Sequence, residues 1–191
     1  MKLRDSAMPE EAYWETLLRP DEALDQLGVT EIGGNAVEFG CGYGTFTLPL
    51  AARVAGTLWT FDIEPTMAAR TGERALAAGL GNVRTEVRDL FAAGTGLPDA
   101  SVDLVVIFNL LHCEEPARLL AEAHRLLALN GVLAVMHWNW DAGTPRGPSL
   151  TIRPQPVQLR QWGEAAGFTT VSESAVDLPP YHYGWRLIKV P

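Results

Sequence analysis

VEFGCGYGTFTLPLA, Val37–Ala51, is the stretch whose reading decides the fold. A short apolar run breaks into Gly40, Gly42 and Gly44, which alternate with Cys41 and Tyr43, and apolar residues then resume at helical spacing. The pattern reads as strand, tight turn, helix. Glycine lets the turn take positive φ and leaves no Cβ between backbone and ligand, so the turn can form the floor of a small-molecule site. The spacing is GxGxG, and Thr45 stands where a dinucleotide-binding fingerprint wants its third glycine.

Outward from the turn, TLWTFDI is a second strand ending in Asp62. Asp62 follows Gly40 at close to the spacing of roughly 20 residues at which an acid meets a ribose diol in an open α/β sheet. The competing reading is that it caps the helix beginning at Pro65. That helix stops at Gly79, and NVRTEVRDL gives a third strand with Asp89 at its end. FAAGTGLPDAS reads as an irregular loop. SVDLVVIFNLLHCEEP carries a fourth strand, apolar almost throughout as a strand covered on both faces should be. Its polar residues begin at Asn109, with His112, Cys113, Glu114 and Glu115 beyond.

EPARLLAEAHRLLALN predicts a helix with one leucine-rich stripe ending at Asn130 and Gly131, where His124 is a packing or surface residue. GVLAVMHWNW is the fifth strand, and its end, with His137, Trp138, Asn139 and Trp140, is the richest candidate substrate wall. The following connection to Pro156, carrying Arg146 and Arg153 among glycines and prolines, is longer than a simple link needs and reads as a binding loop. PVQLRQWGEAAGF makes a last helix, and TTVSESAVDL with YHYGWRLIKV forms an antiparallel hairpin-like edge. The expected architecture is α/β: a doubly wound, mostly parallel seven-stranded sheet with helices on both faces. The flagged positions fall at successive strand ends, where such sheets bind ligands.

At 191 residues the chain has the length of one domain. A hydrophobic share of 47% and a charged share of 20% are those of a globular protein. No stretch approaches a bilayer span, MKLRDSAMPEEAYWETLL has no signal-type apolar core, and a cytoplasmic location is expected. Two cysteines, Cys41 and Cys113, suit a reducing compartment and offer no disulfide framework or zinc spacing, so no metal is expected. The net charge of −8 disfavours a nucleic-acid partner and favours a small molecule.

With Glu38 two residues before Gly40, and with matches at the later strand ends, the chain from about Val37 onward resembles the class I S-adenosylmethionine-dependent methyltransferases. The resemblance implies S-adenosylmethionine as cofactor, bound by Glu38, Gly40, Cys41, Gly42 and Gly44 at the turn. It further implies Asp62 and Ile63 at the ribose, Asp89 and Leu90 at the adenine, and Asn109 at the methionine end. The family often has an acid, an aliphatic residue, a small or polar residue and proline where Asp62, Ile63, Glu64 and Pro65 stand. Residues 1–34 are then an N-terminal helical lid, with Tyr13 or Trp14 toward the substrate, and residues 35–191 the donor-binding domain. A small-molecule acceptor would meet Trp138, Trp140 and Arg146, and His112 and His137 are the candidates to take its proton. A monomer or homodimer is expected. Two alternatives stay open: an NAD(P)-dependent oxidoreductase, because Asp62 would serve any ribose, and a non-catalytic donor-binding module.

Overall fold

A computed structural model describes residues 8–191, so the first seven residues of the expected lid lie outside the described residues. Two short helices, α1 (Glu11–Thr16) and α2 (Pro20–Gln26), precede the glycine turn. Proline opens α2, and acidic residues occupy the first turn of each, where the unpaired amides favour them. The alternating half follows as β1 (Ala36–Phe39), α3 (Thr47–Ala51), β2 (Leu58–Asp62), α4 (Pro65–Ala77) and β3 (Val83–Val87). Next come α5 (Leu90–Ala93), β4 (Val102–Phe108), α6 (Pro116–Leu126) and β5 (Leu127–Trp138). The C-terminal part is α7 (Pro156–Ala165), β6 (Phe168–Thr170), β7 (Val176–Leu178) and β8 (His182–Lys189).

The strands lie in the order β3-β2-β1-β4-β5-β8-β6, with β7 also paired to β8. β1 to β5 pair in parallel and β8 runs antiparallel to β5, so the doubly wound sheet with an antiparallel C-terminal side is as expected. Alternation along the central strands divides the core in two. Val37, Phe39, Val105, Ile107, Leu133 and Val135 pack with Leu119, Leu120 and Leu126 of α6. Ala36, Leu104, Val106, Ala134 and Met136 pack with Leu17, Leu24 and Leu50 on the other face. A strand with both faces covered has no polar face to show, which explains the continuous apolar run of β4.

Three expectations are corrected. The helix read through Asn130 ends at Leu126, because the backbone of β5 is already extended from Leu127. Lys189 holds that end, its Nζ donating to the carbonyls of His124 and Leu127 at 2.8 Å each. Asn130 does take a left-handed conformation, φ +65°, but in the bulge where the β4–β5 register jumps from Leu127 to Val132. The stretch TTVSESAVDL is broken into β6 and β7, which share the outer side of β8, so the sheet has eight strands rather than seven and the antiparallel hairpin-like edge is β7 with β8, with β6 beside it. The loop expected after Asp89 begins with a helical turn, α5, whose amides of Phe91 and Ala92 donate to Asp89 Oδ1.

Candidate functional site

β1 lies between β2 and β4, and the chain leaves it in opposite directions to reach them, so the carboxyl ends of these strands open onto a crevice. A cavity of about 380 Å³ occupies it. Gly40 and Cys41 donate backbone N–H bonds to the Phe61 carbonyl, tying the glycine turn to β2. Gly40 sits at φ +79° and Gly42 at φ +52°. A Cβ on Gly42 would come within 3.0 Å of the Met8 sulfur, so glycine is required for backbone shape and for clearance under the N-terminal segment. Gly44 does not line the cavity, and a Cβ there would come within 3.1 Å of Leu48 and Thr71.

Asp62 ends β2 at the cavity wall. Its Oδ2 accepts from the Gly42 amide at 2.9 Å and its Oδ1 from the Glu64 amide at 3.0 Å, which aims the carboxylate and leaves lone pairs toward the cavity. Burial raises its proton affinity and those two amides oppose the rise. Glu38 is deeper, with its Oε2 accepting from the hydroxyls of Thr47 at 2.5 Å and Thr60 at 2.8 Å. Burial pushes its carboxyl up to about 7. Cys41 follows it into the wall, and burial pushes that thiol up to about 12, so it stays protonated. Ile63, Asp89 and Leu90 form the far end with Arg88 and Phe91. Ile63 is 36% exposed, an apolar face held open where a flat ring can pack.

At the other end Asn109 takes φ +55° directly after β4, and its Nδ2 lies 3.2 Å from His182 Nε2. Among the described residues its Oδ1 is buried with no partner, as is the Thr45 hydroxyl, and both residues line the cavity. Such orphaned polar atoms are costly unless a ligand meets them. Together with the glycine cradle and the Asp62 carboxylate, they fit a ligand with an adenosine end and an amino-acid end. Beyond Asn109 the cavity wall is aromatic. Trp14 meets Trp138 edge-on at 6.1 Å and Phe46 meets Phe108 at 4.7 Å. His112 also lines this end. Its Nδ1 lies 3.2 Å from Nε2 of His137, which is itself fully buried behind it and does not reach the cavity. Burial lowers the proton affinity of all three nearby imidazoles, His112 to about 4, His182 to about 3 and His137 well below its ordinary value.

The roof comes from the loop between β5 and α7, through Arg146, Pro148 and Ile152. Arg153 holds that loop from inside. It is 7% exposed, and its guanidinium donates to the carbonyls of Asn139, Asp141, Arg146 and Pro148 and to the Thr144 hydroxyl. Tyr13 and Trp140 stand outside the cavity, 43% and 48% exposed, and the Trp140 indole N–H donates to the Leu150 carbonyl to brace the same loop. Sequence reasoning missed Met8, Thr45, Arg88, Phe91, Phe108 and Ile152 as wall residues. Thr45 carried a signal, being polar at the inner end of the glycine turn; the others are ordinary residues that only the fold brings together.

Residues 36–131 match the family described as "Methyltransferase domain". The chain is 30% identical over 167 residues to a "Probable S-adenosylmethionine-dependent methyltransferase" of Mycolicibacterium smegmatis, covering 84% of this chain and 61% of that protein. It therefore spans about three-fifths of the length of that relative. A shorter stretch of 81 residues is 41% identical to a 23S rRNA (uracil-C5)-methyltransferase of Alkalilimnicola ehrlichii, covering 42% of this chain and 18% of that protein. Among solved structures, a SAM dependent methyltransferase from Aquifex aeolicus superimposes with a TM-score of 0.81 at 23% identity, covering 95% of this chain and 94% of that one, which shows the shared fold. The glycine cradle, the acid ending β2 and the match over residues 36–131 agree, and the chain belongs to the class I S-adenosylmethionine-dependent methyltransferases.

Proposed function

We propose that this protein transfers the methyl group of S-adenosylmethionine to a small-molecule acceptor. The observation that carries the reading is a single cavity with two chemically different ends: Asp62, Ile63, Asp89 and Leu90 at one, an aromatic chamber with His112 at the other, and the orphaned Asn109 Oδ1 between them. The bound donor supplies a methyl group on a positively charged sulfur, a good leaving group that needs no acid. The chain's task is to align. Asp62 would accept from the ribose hydroxyls, Ile63 and Leu90 would flank the adenine, and Asn109 Oδ1 would accept from the donor's ammonium. Trp14, Phe108 and Trp138 would hold the acceptor and keep water out. Such alignment is worth roughly 7–11 kcal/mol of barrier.

A small acceptor is supported by the size of the cavity, by the roof that Arg153 fixes over it and by the net charge of −8, which is unfavourable to a polyphosphate backbone. Residues 8–34 act in this reading as part of a lid, since Met8, Pro9 and Trp14 cover the cavity while Glu11 pairs with Arg70 and Arg74 of α4.

The test has two parts. Calorimetric titration should give saturable binding of S-adenosylhomocysteine and none of NADH. Incubation with methyl-labelled S-adenosylmethionine and a panel of phenols, thiols, amines and carboxylic acids, with ribosomal RNA alongside, should label a small molecule. Label on RNA alone would overturn the small-molecule reading, and donor binding without labelling anywhere would favour a non-catalytic module.

A further inference from the structure

Arg153 is a buried charge with no counter-charge beside it. Its Nε donates to the Pro148 carbonyl, its Nη1 to the carbonyls of Asn139 and Asp141 and the Thr144 hydroxyl, and its Nη2 to the carbonyls of Arg146 and Pro148. Every one of those acceptors is neutral, and among the described residues no carboxylate stands within ion-pair distance of the guanidinium. The Asp141 carboxylate acts on it from further off, across exposed surface where water screens it. At 7% exposure Arg153 itself is poorly screened, and a buried ion surrounded by dipoles alone favours an opposite charge nearby.

The place open to that opposite charge is the acceptor end of the cavity. Gly147 lines the cavity, and a Cβ on it would stand 2.9 Å from Arg153 Nη2 and 2.8 Å from Trp138 Cγ, so the guanidinium lies against the same wall as the indole. Arg146, the preceding residue, brings a second guanidinium to that wall. The Arg153 charge also reaches His112, where it opposes protonation of the ring. The carboxylates among the described lining residues, Glu38, Asp62 and Asp89, all belong to the donor half, and Arg88 at that end is paired with Glu86. The two halves of the cavity therefore differ in sign, and the positive half is otherwise apolar, walled by Trp14, Phe108 and Trp138.

Resting on the methyl-transfer reading, we propose that the acceptor is a small apolar or aromatic molecule carrying a carboxylate, and that Arg146 selects it by pairing with that carboxylate in the field of the buried Arg153. The N–H groups of Arg153 are all taken by the loop, so it supplies charge without contact. Arg146 supplies the contact. A carboxylate has the single charge and the coplanar oxygens that one guanidinium matches. An ammonium would be repelled there, and a neutral molecule would leave the Arg153 charge uncompensated.

The test is a ligand-observed NMR titration of the full chain saturated with S-adenosylhomocysteine, using benzoate, indole-3-acetate and decanoate, each against its own primary amide. At least one acid should bind about 10-fold more tightly than its amide, the scale of a hydrogen-bonded charge. Arg146→Gln should remove most of that advantage with affinity for S-adenosylhomocysteine within about twofold of the original, and Arg146→Lys should keep part of it. Amides that bind as well as their acids, or no binding by any acid, overturn the proposal. So does an Arg146→Gln variant that loses S-adenosylhomocysteine instead, because the guanidinium would then serve the donor's own carboxylate. The titration needs no turnover, so the two readings fail separately: acids that bind while nothing is labelled leave the anion site standing and sink methyl transfer, whereas label on neutral acceptors alone keeps methyl transfer and sinks the anion site.

Discussion

Asp62 is held by two backbone amides, which fix the direction of its carboxylate at the cavity wall. Removing it takes away charge-assisted hydrogen bonds worth about 1.5–3 kcal/mol each. Asp62→Ala should therefore weaken S-adenosylhomocysteine binding at least 10-fold by calorimetry, while an affinity within twofold of the original would count against the ribose assignment. Gly42 is constrained twice, by φ +52° and by the Met8 sulfur, 3.0 Å from where an alanine methyl would stand. Gly42→Ala should cost about 1–2 kcal/mol from the left-handed backbone alone and lower the melting temperature along with donor affinity. These two positions were legible in the sequence because glycine and acid report on backbone shape and charge, properties that hold wherever the chain goes. Gly44 looked the same on paper and shares the positive φ, +80°, but it does not line the cavity, and a Cβ there would meet Leu48 and Thr71 rather than the N-terminal segment.

The loop from β5 to α7 is an element without regular hydrogen bonding of its own, and Arg153 supplies what is missing. A buried guanidinium satisfied by carbonyls and one hydroxyl makes the loop a fixed roof. Arg153→Met would remove the donor that ties the carbonyls of Asn139, Asp141, Arg146 and Pro148 together. Hydrogen exchange over residues 139–152 should speed up, with affinity for S-adenosylhomocysteine within twofold of the original; unchanged exchange would show that the Trp140 indole, and the Tyr183 hydroxyl that donates to the Pro154 carbonyl, hold the loop without it. The sequence marked this stretch as a binding loop from its length and prolines, and Arg146 does reach the cavity. Trp140 was expected to do so too, but it turns outward to the Leu150 carbonyl. Strand alternation alone would put residues 138 and 140 on one face, but β5 ends at Trp138, so Trp140 already belongs to the loop and only the tertiary path of that loop decides where it points.

Across the whole molecule, buried titratable groups around the cavity set how stability depends on pH. His112 and His182 are held near 4 and 3 against an ordinary 6.5, and His137 well below it, so on acidification the unfolded chain takes up three protons that the fold refuses. Their contribution is complete above 6.5 and is lost as pH falls. Glu38, raised to about 7 from 4.5, acts with the opposite sign: its contribution is present at acid pH and lost as pH rises through about 7. Asp62 is raised in the same sense. Three imidazoles outweigh two carboxyls in the window from 6.5 down to about 5, at about 1.4 kcal/mol per pH unit for each uncompensated proton. The melting temperature should fall from pH 7 to pH 5, and His182→Phe should flatten that slope; a rise over the same interval would contradict the burial of the histidines.

The sequence alone determined the order of strands and helices, the glycine turn, the acid after β2 and the family, because hydrophobic period, turn chemistry and motif spacing are local properties. It also placed Asp89 and Asn109 at strand ends, where the fold puts them. Only the tertiary structure decided that His112 reaches the cavity while His137 stands behind it, that the C-terminal edge is split between β6 and β7, and that Met8 closes over Gly42. Those outcomes depend on which distant segments pack together. Spacing along the chain cannot encode that, since burial and long-range pairing are settled by the whole core at once.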